Sequence, residues 1–195
     1  MGQRLKQLFE AQGAQVDLLG NVGWTADRWV GNAANDGYPW NQVLGIVHGS
    51  PPPDYVFYIL GTNDIYRADR TAPAATALRD VGPETWFIGA PSYASANLTA
   101  RVNATAPMFR QVFGSRYIDS RSYTAPNCAG RTPDCVHFVA SSGLGQSWAN
   151  NVYAEWTRRK KGLSPGKTDW TAVGIAAGVV VGLAGLTMIV RAWAK

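Results

Sequence analysis

The run Asp54-Tyr55-Val56-Phe57-Tyr58-Ile59-Leu60 is apolar at odd and even positions alike, and it breaks at once into Gly61-Thr62-Asn63-Asp64. A strand with one face in water alternates apolar and polar side chains, whereas a strand apolar on both faces must be covered on both. Thr85-Trp86-Phe87-Ile88-Gly89-Ala90 repeats the pattern. Around these runs the apolar spacing changes to that of helices. Residues 2–12 place Leu5, Leu8 and Phe9 on one stripe before Gly13, and helices are also expected over 40–47, 73–80, 97–112 and 140–158. Short strands are expected at Ala14–Leu19, closed by Gly20, and at Arg116–Asp119, and Pro51-Pro52-Pro53 interrupts any regular element. Strands alternating with helices predict an α/β domain: a parallel sheet with helices on both faces.

Charge divides the chain. Of its 195 residues, 1–157 carry eleven Lys/Arg against twelve Asp/Glu, so the net charge of +5 comes from the C-terminal segment. There Arg158, Arg159, Lys160, Lys161, Lys167, Arg191 and Lys195 face only Asp169. A basic patch on the folded domain, the footprint of nucleic-acid binding, is therefore not expected. Trp170–Val190 is a 21-residue stretch without a charge, flanked by cations and by Trp170 and Trp193. Its length and flanks predict a single transmembrane helix. The division that follows is an α/β domain over 1–157, a basic linker over 158–169, a membrane helix over 170–190 and a short basic tail over 191–195. Gly174, Gly178 and Gly182 form a small-residue stripe on that helix, suited to self-association.

Two observations oppose each other on membrane topology. Residues 1–6 hold no apolar signal core, and five cations precede the span, which favours a cytoplasmic domain. Cys128 and Cys135, the two cysteines, flank a short Gly/Pro-containing loop where a disulfide is easily closed, which favours an oxidising compartment. The side of the membrane stays open.

Asp134-Cys135-Val136-His137 lies some seventy residues beyond Gly61-Thr62-Asn63-Asp64. An Asp three residues before a His can orient the imidazole through one ring nitrogen and leave the other as general base. An Asn on a turn after a buried strand can aim its amide at a developing oxyanion. Both segments follow strands, and in open α/β sheets ligands bind at the carboxyl ends of strands. Asn21-Val22-Gly23-Trp24-Thr25 follows the first visible strand on the same edge.

Residues 2–158 with these motifs resemble the SGNH (GDSL-type) hydrolase family, a flavodoxin-like fold of esterases, lipases, thioesterases and carbohydrate deacetylases. Gly61-Thr62-Asn63-Asp64 is similar to the family's third block, and Asp134-x-x-His137 to its fifth. The resemblance implies His137 as base, Asp134 as its orienting partner, and Asn63 and the Gly23 N–H as oxyanion donors. The family's first block, a strand ending Gly-Asp-Ser, has no counterpart in the chain, so the nucleophile is unassigned. It comes from upstream of Met1, from another polypeptide, or not at all.

Among the serines, Ser50 falls at the opposite end of the sheet, Ser92 and Ser95 lie to one side, and Ser141 and Ser142 suit a helix cap. His48 is expected in a turn, and no cofactor or metal site is expected. The resemblance implies a membrane-anchored serine esterase or O-deacylase acting on acylated envelope glycan or lipid. Trp24, Trp29, Tyr38 and Trp40 are candidates for stacking on sugar faces. The alternative is a non-catalytic binding or structural module of a membrane or viral assembly.

Overall fold

The computed structural model describes residues 2–22, 25–31, 38–64, 69–162 and 184–191. Helix α1 (Gly2–Glu10) buries Leu5, Leu8 and Phe9, and ends where Gly13 adopts a positive φ of 86°. Strand β1 (Gln15–Val22) leads to the short helix α2 (Ala26–Trp29), whose first turn is capped by the Thr25 side chain. Then follow α3 (Tyr38–Val47), β2 (Tyr55–Ile59), α4 (Thr71–Arg79), β3 (Glu84–Ile88) and α5 (Ala96–Phe113). Strand β4 (Tyr117–Ile118), helix α6 (Leu144–Lys160) and strand β5 (Ala184–Arg191) complete the order.

The chain folds as an α/β structure around a five-stranded sheet in the order β1-β5-β2-β3-β4. Alternate residues of the buried strands point to opposite cores, as the apolar-on-both-faces pattern requires. Val56, Tyr58 and Phe87 pack with Trp29, Val43, Leu78 and Phe109 on the face covered by α2, α3, α4 and α5. Phe57, Ile59, Trp86 and Ile88 pack with Leu8, Phe9, Trp148 and Val152 on the face covered by α1 and α6. Phe9 sits at the centre of an aromatic group, 5.2 Å from Phe57 and 4.8 Å from Trp156 between ring centroids.

The sheet is mixed, which corrects the expectation of a wholly parallel one. Strands β2, β3 and β4 are parallel, while β5 runs antiparallel to both β1 and β2. Two strands antiparallel to the same neighbour are parallel to each other, so β1–β4 all point the same way. The last seven residues expected in the membrane helix, 184–190, thus lie in β5. A continuous apolar run reads equally as a buried helix or as a strand covered on both faces. Here Met188 and Val190 enter one core and Ile189 the other. Residues 170–183, with Gly174, Gly178 and Gly182, lie outside the described residues. Among the described residues no helix is long and apolar enough to cross a membrane.

Three ties hold β5 at its C-terminal end: Arg191 pairs with Asp17 at 2.7 Å and donates to the Pro51 carbonyl at 3.4 Å, and the Asp54 N–H donates to the Val190 carbonyl at 2.9 Å. Helix α6 begins only at Leu144, after a 3-10 turn at Ala140–Ser142, and runs through Lys160. Arg158, Arg159 and Lys160 therefore form its last turn rather than a linker. Cations there face the partial negative charge of the helix end, and Glu155 pairs with both arginines.

Candidate functional site

The carboxyl ends of β1–β4 share one edge, and four loops gather there. Gly61, just beyond β2, has φ 109°, a left-handed conformation that a side chain strains, so glycine turns the chain sharply off the strand. Thr62, Asn63 and Asp64 follow on that turn, with Asn63 half-buried.

The loop after β4 is long and folded on itself. An isolated bridge pairs Arg131 with Phe138, the Thr132 N–H donates to the His137 carbonyl at 2.8 Å, and the Val139 N–H donates to the Gly130 carbonyl at 2.9 Å. A disulfide joins Cys128 to Cys135 across this small hairpin, with Cα atoms 4.6 Å apart. Asp134 sits at its tip. One carboxylate oxygen accepts from the Thr132 hydroxyl at 2.5 Å, the Val136 N–H at 2.8 Å and the His137 N–H at 3.2 Å. The other meets His137 Nδ1 at 2.5 Å.

The Thr132 hydroxyl, then the Val136 N–H and His137, hold the Asp134 carboxyl well below the usual carboxylate range. It is ionised at neutral pH, so Nδ1 of a neutral His137 carries the proton toward it and Nε2 presents a lone pair. The His137 side chain remains 36% exposed. A base oriented in this way can accept a proton from a hydroxyl or from water.

The loop bearing Asn63 and the loop bearing Asp134 and His137 are joined through residues that sequence reasoning missed. The Thr62 hydroxyl and the Tyr93 hydroxyl are 2.6 Å apart. The Arg131 guanidinium lies 5.3 Å from the Tyr93 ring centroid and 4.6 Å from that of Phe138. It donates to the Val136 carbonyl at 3.0 Å and to the Ser92 carbonyl at 2.5 Å. Arg131 is a buried cation, 7% exposed, and bonds carbonyls rather than a carboxylate among the described residues. A lone Arg between Gly130 and a Thr-Pro turn gives no periodic signal, and only the hairpin brings it under Tyr93.

Replacing Arg131 by Met keeps much of the side-chain volume but leaves both carbonyls without their donor. The expected loss is about 2 kcal/mol, or roughly 4–8 °C in Tm by circular dichroism. An unchanged Tm would mean that Arg131 does not brace the rim.

The remaining sequence-predicted residues fall as follows. Gly23 and Trp24 lie outside the described residues. Trp29 is fully buried in the core and presents no face to a sugar, and Trp40 packs against the same cluster. His48 is exposed just beyond α3. Ser92 donates its hydroxyl to the Arg121 carbonyl at 2.8 Å, and Ser142 donates to the Val139 carbonyl at 2.7 Å. Ser95 caps α5. None of these three hydroxyls bonds His137. Among the described residues, no three His, Cys, Asp or Glu side chains are grouped to hold a metal ion. No family model, curated protein or solved structure matches the chain.

Proposed function

We propose that the chain is an SGNH-type ester hydrolase in which His137 is the general base, Asp134 its orienting partner, and Asn63 an oxyanion donor together with the Gly23 N–H. The observation that carries this reading is the Asp134–His137 contact on the same sheet edge as Asn63, bridged by Thr62, Tyr93 and Arg131. Strand order supports it as well. The four parallel strands run β1, one further position, β2, β3, β4, which parallels the doubly wound order 2-1-3-4-5 of flavodoxin-like folds.

In the reaction a serine hydroxyl attacks the ester carbonyl, and His137 Nε2 takes its proton. Asn63 and the Gly23 N–H stabilise the oxyanion of the tetrahedral intermediate. Collapse returns the proton to the departing alcohol and leaves an acyl-serine, which water hydrolyses by the same base. The serine comes from outside the described residues. The substrate class is an acylated glycan or lipid ester. The Cys128–Cys135 bridge favours a domain in an oxidising compartment.

The test compares ester turnover and fluorophosphonate labelling of the chain alone and of the chain prefixed by a strand ending in Gly-Asp-Ser. Turnover and labelling that appear or rise in the extended form support the reading. Background rates in both forms overturn it.

A second reading, a non-catalytic relative of such hydrolases, is favoured by β5. It fills the sheet position between β1 and β2 with its amino end, Ala184, at the edge where the other four strands present their carboxyl ends. Under that reading His137→Ala leaves the biological role intact.

A further inference from the structure

Strands β1 and β2 are not neighbours: β5 lies between them. The loops at their carboxyl ends are therefore linked through the sheet only by way of β5 and stand about 10 Å apart, at two strand spacings. A buried side chain crosses that gap. Asp64, immediately after Asn63, accepts a hydrogen bond from the Ala26 backbone N–H at 2.9 Å, where the loop after β1 enters α2. Asp64 is 1% exposed and is the one buried carboxylate among the described residues. Its second oxygen is buried with no hydrogen-bond partner there. An ionisable group held in this state costs stability, so its place at a loop-to-loop junction calls for a reason.

We infer that Asp64 is a positioning residue: it latches the loop after β1 to the loop after β2 and so sets the span open to an acyl oxygen beside Asn63. The catalytic consequence rests on the ester-hydrolase reading, but the latch itself does not.

The electrostatics agree with a strained junction. Burial, with the nearby charge of Asp27 adding to it, pushes the Asp64 carboxyl up to about 6 against the pull of the Ala26 and Gly61 N–H groups. The folded state then holds a proton that the unfolded chain has already released. This residue's contribution to stability is fully present below about pH 4, declines as pH rises, and is lost above about pH 6.

The experiment uses the full chain with Asp64→Ala and Asp64→Asn, followed by amide hydrogen exchange and NMR. Asp64→Ala should speed exchange at Ala26–Trp29 about tenfold or more, with β3 and α5 amides unchanged. Asp64→Asn keeps an acceptor oxygen and should stay within about twofold of wild type at neutral pH. Ala26 exchange unchanged in Asp64→Ala overturns the latch.

Should Asp64→Ala fail to fold, the wild-type Ala26 amide proton decides. It should titrate with a midpoint near 6, and the titration should vanish in Asp64→Asn. A titration kept in the Asn variant, or absent from wild type, is contrary to the proposal. In an active chain Asp64→Ala should lower kcat about tenfold with KM held. An inactive chain defeats the hydrolase reading while the exchange data still decide the latch.

Discussion

Ile189→Asp unfolds the domain. Ile189 is fully buried at the centre of β5, opposite Val56 of β2 and Asp17 of β1, within the core formed by Trp29, Val56, Phe87 and Phe109. The cation on that face of β5, Arg191, is already paired with Asp17 at the strand end, so a carboxylate at position 189 gains no partner from it. An unpaired buried charge costs several kcal/mol, comparable with the 5–15 kcal/mol that holds a typical domain together. Ile189→Val, which removes one methylene, should cost only about 1 kcal/mol. Urea titration of both variants checks the pair.

An unchanged urea midpoint in Ile189→Asp would mean that Ile189 does not lie in the core of the sheet.

His137→Ala abolishes ester turnover in any form of the chain that hydrolyses esters. Removing a general base costs about 10²–10⁴ in rate, and here it also leaves Asp134 without the group it orients. The imidazole is partly exposed at the tip of a hairpin closed by its own disulfide, so stability should change by less than about 1 kcal/mol. Asp134→Asn is the companion variant. It removes the charge and can offer its amide N–H to Nδ1, which stabilises the tautomer with the proton on Nε2 and takes away the basic lone pair. Its loss should appear mainly in kcat. If His137→Ala kept full turnover with Tm intact, the imidazole would not be the base.

Some of the site was legible in the sequence for a simple reason: local patterns act through local chemistry. The short both-face apolar runs expected as buried strands at 54–60 and 85–90 are β2 (Tyr55–Ile59) and β3 (Glu84–Ile88). Gly61 could turn sharply because it lacks a Cβ. Asp134 and His137, three residues apart, needed only a tight turn to meet. Thr62, Tyr93 and Arg131 were not legible, because three separate loops bring them together and each residue is unremarkable on its own segment. Trp29 misled for the opposite reason: an aromatic near a rim looks available until a helix buries it.

The amino-acid pattern alone determined that β2 and β3 are buried strands, that helices cover them, and where an imidazole and a carboxylate sit within reach of one another. Those are short-range consequences of side-chain volume, hydrophobicity and backbone freedom. The tertiary structure alone decided that residues 184–191 form a strand, its direction, and the linking of the rim. An apolar run carries no mark of its pairing direction, and a hydrogen bond such as that from Ala26 to Asp64 exists only once distant strands have been set side by side.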